Sequence, residues 1–118
     1  MTYSPSLAAD RSGFSLDTLR YYERIGLLFD IERTSSNQRI FTDQDLDWLG
    51  VLRCLRDTGM PIATMQRYAT LAREGDRTHQ ARLELLREHA IQVAERISTI
   101  KEQEKHLHEK IDWYEKQL

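Results

Sequence analysis

The chain has 118 residues, with 17 Lys and Arg against 19 Asp and Glu, a net charge of −2 and a pI near 6.1. That length is too short for a multi-domain enzyme, and one cysteine cannot build a disulfide scaffold. No 18-residue apolar run or signal-like segment occurs, which predicts a soluble, cytoplasmic protein with no membrane partner. A charge of −2 also weighs against nucleic acid as a partner when taken as a sum, but placement of charge matters more than its total.

In chain order, Ser4-Pro5 forms an N-cap and first-turn pair that opens a short helix to about Ser12. Gly13 supplies a turn, and Ser15 caps a second helix from Leu16 to about Ile25, ending at Gly26. Two short helices about a glycine turn form the helix-turn-helix pattern, whose second helix enters the major groove. On that helix Leu16 and Leu19 are spaced to face the core. Arg20 can fork onto phosphate or a guanine edge, and Ser15, Thr18, Tyr21 and Tyr22 can donate to phosphates. The same residues also fit a plainer reading, with the tyrosines in the core and Arg20 on a solvated face.

Two β-prone pieces then flank Ser35-Ser36-Asn37-Gln38, where Asn37 tolerates the left-handed conformation of a hairpin tip. A hairpin placed there is a wing, with Arg33 and Arg39 at its shoulders facing phosphates. Thr42 and Asp45 form a capping arrangement for a third helix through Trp48, Leu49, Leu52 and Leu55, stopping at Gly59. Pro61 begins a fourth helix over about Ile62 to Ala72.

Composition changes near residue 75. Residues 1–75 hold all 5 Gly, both Pro and 9 Arg without a Lys, whereas all 4 Lys lie in 76–118. Gly75 suits the residue after a helix and Asp76 or Thr78 a new N-cap, so the expected domains are a 1–75 DNA-binding head and a 76–118 dimerisation helix. In the second segment Leu83, Leu86, Ala90, Val93, Ile97, Ile100, Glu104, Leu107, Ile111, Tyr114 and Leu118 follow steps of three and four. Ten of these eleven are apolar or aromatic, which is a coiled-coil seam of roughly 60 Å. A lone chain would leave the seam wet, so a partner helix is expected. A parallel homodimer sets Arg96 against Lys101, whereas an antiparallel one can bring Arg87 near Glu115, which favours the antiparallel arrangement. The predicted fold is all-α with a small β wing: a winged helix-turn-helix head and a long C-terminal coiled-coil helix.

The strings DTLRYYERIGLL, Arg33…Asn37-Gln38-Arg39 and FTDQDLDWL…LR…LRDTGMPI resemble the MerR family of bacterial transcription regulators. The resemblance covers the whole head, and the long last helix is similar to that family's antiparallel dimerisation helix. It implies DNA contacts from Arg20, Tyr21 and Tyr22 on the recognition helix, from Arg33 and Arg39 on the wing, and from Arg56 on the third helix. Pro5-Ser6 replaces the family's usual Ile-Gly, and Asn37-Gln38 replaces its usual Gly-Tyr, which removes an aromatic hydroxyl from the wing and ranks Gln38 below Arg39. The resemblance further implies a homodimer on a pseudo-palindromic promoter with an over-long −35 to −10 spacer. An effector would make the dimer bend and untwist that spacer, so RNA polymerase is an indirect partner.

Cys54 is the one residue with distinctive chemistry. In an amphipathic helix it reads as a small buried hydrophobe; alternatively, flanking Arg53 and Arg56 favour reactivity while Asp57 opposes it. CLRDTGMPI, YATLAREGDRT and the ending KIDWYEKQL resemble the aldehyde- and thiol-stress branch, which implies a sensor cysteine at this point. Trp113 and Tyr114 either cap the coil or seat it against the partner's head and relay the signal. Asp43-x-Asp45-x-Asp47 starts like a calcium loop but has Trp48 at position six and Cys54 at position twelve. His106 and His108 diverge on a helix. No zinc spacing, phosphate loop or Ser/His/Asp set appears, so neither metal, cofactor nor enzymatic activity is expected. A thiol enzyme would lack a histidine base in the head. The metal-sensing branches need cysteines after the long helix, and none is present. The alternatives are a MerR-type regulator with a non-covalent effector or none, and a coiled-coil architectural DNA-binding protein.

Overall fold

A computed structural model describes residues 1–118. It contains two compact units, Met1–Arg82 and Leu83–Leu118. The first holds β1 (Thr2–Tyr3), α1 (Pro5–Ser12), α2 (Leu16–Arg24), β2 (Glu32–Arg33), β3 (Arg39–Thr42), α3 (Asp43–Asp57) and α4 (Ile62–Arg73). A 3₁₀ turn, Asp76–Thr78, leads into α5 (His79–Gln117).

The helix starts follow local capping. The Ser4 hydroxyl accepts from Leu7 N–H at 3.2 Å and the Ser15 hydroxyl from Thr18 N–H at 3.1 Å. Thr42 and Asp45 exchange side-chain bonds in a complete capping box, at 3.2 and 2.9 Å. Each contact satisfies an otherwise orphaned backbone N–H.

The wing is larger than the hairpin expected from sequence. β3 is the central strand of a three-stranded antiparallel sheet in the order β1-β3-β2. Tyr3 pairs with Phe41 and Arg33 with Arg39, while Asn37 turns the tip at φ +64°. The N-terminal strand is secured from the side: the Tyr3 hydroxyl donates to Asp43 at 2.6 Å. That bond holds the Asp43 carboxyl below its ordinary pKa and raises that of the Tyr3 phenol.

The joint after α4 also differs from expectation. Gly75 does adopt a left-handed φ of +88°, but Thr78 does not begin the long helix. Its hydroxyl donates back to the carbonyls of Leu71 at 2.6 Å and Gly75 at 2.8 Å, and Arg82 bonds to Thr78 and Gly75. These bonds fasten the 3₁₀ turn and the first turn of α5 to the end of α4. The first compact unit ends at Arg82.

The head's core gathers Phe14, Leu19, Tyr22, Leu27, Phe41, Leu49, Leu52 and Met65, each at most 3% exposed. Trp48 donates its indole N–H to the Leu27 carbonyl at 2.7 Å and stacks on Tyr68, which ties α3 and α4 to the segment after α2. Gln66 of α4 reaches the Ile25 carbonyl at 3.0 Å.

Gly13 is constrained twice. Its φ is +78°, and a Cβ there would collide with the Arg53 guanidinium, which donates to the Ser12 carbonyl at 3.1 Å. Gly13→Ala is expected to lower the unfolding free energy by about 1–3 kcal/mol. Denaturant unfolding checks this, and an unchanged midpoint would contradict it.

Candidate nucleic-acid interface

The exposed side of α2 carries Asp17, Arg20, Tyr21 and Arg24, spaced so that they share one face. Arg20 pairs with Asp17 at 3.3 Å, with both side chains mostly exposed. Such a pair has little net strength and leaves the guanidinium free to exchange onto a phosphate or base edge. Tyr21 is 40% exposed, and the Arg24 guanidinium lies 5.3 Å from its ring centroid. Arg24 was not singled out from sequence, although its position seven residues after Asp17 on the same helix face could have marked it. Ser15 donates to the Thr18 hydroxyl at 2.9 Å at the helix start, so both are engaged in capping.

Tyr22 departs from its expected role. It is 3% exposed, packed edge-on against Phe14 with ring centroids 5.2 Å apart. Adjacent residues on a helix point about 100° apart, so Tyr21 faces out where Tyr22 faces in. Burial raises the Tyr22 pKa, against the pull of the neighbouring Arg56 guanidinium. A ring this buried belongs to the support beneath the exposed face of α2.

Arg53 and Arg56 gather around the same aromatic group. Their guanidinium carbons lie 6.0 and 4.7 Å from the Phe14 ring centroid. Both also pair with Asp57, at 2.8 and 3.2 Å, and these hydrogen bonds, led by that from Arg53, hold the Asp57 carboxyl below its usual range. Cys54 lies between the two arginines in sequence and is exposed, contrary to the reading of a buried hydrophobe. Asp57 pairs with both guanidinium groups that flank the thiol in sequence.

On the wing, Arg33 and Arg39 converge on Glu23 of α2, at 3.2 and 2.7 Å. Arg33 also donates to the Asn37 carbonyl at 3.3 Å. Asn37 and Gln38 are exposed at the tip, where Gln38 N–H donates to the Thr34 hydroxyl at 3.1 Å. Glu23 had no distinguishing sequence signal, since its partners lie ten and sixteen residues away.

A helix with an exposed Arg-Tyr-Arg face, preceded by a glycine turn and followed by a hairpin wing, defines a winged helix-turn-helix DNA-binding regulator. Residues 3–71 match the MerR HTH family of regulatory proteins, and residues 46–110 match the MerR DNA-binding family. HiNmlR, a MerR family regulator lacking the sensor domain and crystallised bound to promoter DNA, is 38% identical with a TM-score of 0.89; the match covers 98% of this chain and 92% of that one. A MerR-type regulator structure from Listeria monocytogenes is 41% identical, also at 0.89, covering 96% and 86%. A transcriptional regulator of Haemophilus influenzae is 38% identical over 116 residues, 98% of this chain and 86% of its own.

The chain belongs to the MerR family and is a DNA-binding transcription regulator, not an enzyme. No helix is long and apolar enough to cross a membrane.

Arg20→Ala is expected to weaken specific DNA binding by roughly 1–3 kcal/mol without moving the thermal midpoint. Tyr22→Ala should instead lower that midpoint markedly. Binding titrations beside thermal melts separate the two, and equal loss of fold in both variants would contradict the assignment.

Proposed function

We propose that this chain acts as a homodimer on a pseudo-palindromic promoter, where it bends and untwists an over-long −35 to −10 spacer in response to an electrophile or thiol-stress signal received at Cys54. RNA polymerase then meets two aligned elements without needing direct contact with the regulator. The DNA-bound state of HiNmlR, similar along nearly the full chain, supports promoter DNA as the partner. In this reading Arg20, Tyr21 and Arg24 face the major groove, Arg33, Asn37, Gln38 and Arg39 follow the backbone beside it, and Arg56, Ser15 and Thr18 add phosphate contacts.

Dimerisation is supported by the long helix. Ile97, Ile100, Leu107, Ile111 and Tyr114 of the seam are 42–63% exposed in the single chain. A contiguous apolar stripe of that kind calls for a second helix. An antiparallel pairing keeps the two DNA-binding heads apart, as two half-sites require.

The observation that carries the sensing role is the setting of Cys54: an exposed thiol whose neighbours, Arg53 and Arg56, reach the helix-turn-helix through Ser12 and Phe14. Addition of the thiol to formaldehyde forms a sulfur–carbon bond while the thiol proton passes to the carbonyl oxygen, giving an S-hydroxymethyl group. That added bulk and polarity on the exposed surface of α3 would alter how this helix supports the turn before α2.

Transcription in vitro from the regulated promoter tests the role. Wild type should change its output at least about fivefold on addition of formaldehyde, and Cys54→Ser should bind DNA equally well but fail to respond. A normal aldehyde response in Cys54→Ser would remove Cys54 as the sensor.

A further inference from the structure

The wing arginines do not project freely into solvent. Glu23, in the last turn of α2, accepts on a single oxygen from Arg39 Nε at 2.7 Å and from Arg33 Nη2 at 3.2 Å, with Arg39 Nη2 also at 2.7 Å. Arg33 and Arg39 are register partners across β2 and β3, so one carboxylate fastens both wing strands to the recognition helix. The three side chains are 23–37% exposed, where ion pairs are screened less than on an open surface.

A guanidinium has five N–H donors in a rigid fork, so a group held along one edge still offers another edge to phosphate. The carboxylate does two things to these forks. It fixes the direction in which the remaining donors point, and it offsets one of their two positive charges. An arginine so restrained grips a phosphate well only where the DNA backbone passes through the matching place, and loses the indiscriminate attraction of a mobile cation.

We propose that Glu23 is a specificity-determining positioning residue, which holds Arg33 and Arg39 in one orientation and lowers their attraction for non-matching DNA. The recognition helix and the wing thereby read the duplex as one rigid unit, and Glu23 need not touch DNA itself.

The test compares two probes: a random-sequence duplex of about 30 base pairs and a duplex selected by the wild-type protein from a randomised pool. Glu23→Gln keeps the side-chain shape and removes the charge. It is expected to raise affinity for the random duplex at least about fivefold and to steepen the salt dependence of log K by roughly 0.9, the equivalent of one further phosphate. Affinity for the selected duplex should not rise, so the ratio between the probes should fall about fivefold or more. Glu23→Asp, which retains the charge, should restore part of that ratio. In an Arg33→Ala/Arg39→Ala background Glu23→Gln should change neither affinity. A merely structural ion pair would lower the thermal midpoint, weaken both probes in parallel and do so in the double-alanine background as well. That pattern, or an unchanged ratio and salt slope in Glu23→Gln, would overturn the proposal. Failure of the wild type to select any sequence would refute specific recognition itself, and the role of Glu23 with it.

Discussion

At nine residues α2 is too short to hold a helical shape or a direction alone, so both are imposed by what lies beneath it. Leu19 and Tyr22 turn inward from α2, Phe14 comes up from the turn before it, and all three are essentially solvent-free. Arg53 and Arg56 of α3 close over Phe14, and Arg53 also occupies the space that any side chain at residue 13 would need. The exposed face of Arg20, Tyr21 and Arg24 is the other side of that packing. Any change in how α3 meets Phe14 is therefore a change in how the recognition helix is aimed.

The charge balance takes on meaning once the arginines are placed. Residues 1–75 have 9 Arg against 10 acids, near neutrality for a unit that binds a polyanion. Several of those acids are paired with the arginines themselves: Asp17 with Arg20, Glu23 with Arg33 and Arg39, and Asp57 with Arg53 and Arg56. Half-buried pairs such as those on Glu23 orient their arginines, whereas the exposed pair at Arg20 restrains it little. Such a head trades long-range attraction for direction. Its binding then depends on fit and on DNA shape more than on net charge.

Most of the head was legible because its signals are local. Ser4, Ser15 and Thr42 as caps, Gly13 as a turn, Asn37 as a left-handed position, and the spacing of Leu49, Leu52 and Leu55 each act within one or two turns of chain, and each is found where expected. β1 was not legible, because two residues carry no alternation and gain their strand conformation from Phe41 and Thr42, some forty residues away. Glu23 was missed for the same reason, since its importance comes from two arginines beyond the turn. Of the two readings open for Tyr21 and Tyr22, each holds for one residue: Tyr22, three after Leu19, turns inward, while Tyr21 is exposed. The 3₁₀ turn at Asp76–Thr78 shows how a capping residue can bind backward instead of forward: Thr78 had the right chemistry for an N-cap but spends its hydroxyl on Leu71 and Gly75.

In the proposed dimer, two recognition helices would meet two half-sites while the duplex between them is deformed. Footprinting on the regulated promoter, with and without formaldehyde, tests this most directly. A dimer that distorts its spacer gives two protected half-sites separated by a whole number of helical turns, with the centre becoming hyperreactive when formaldehyde is added. A single protected half-site, or a centre whose reactivity is the same in both states, would contradict it.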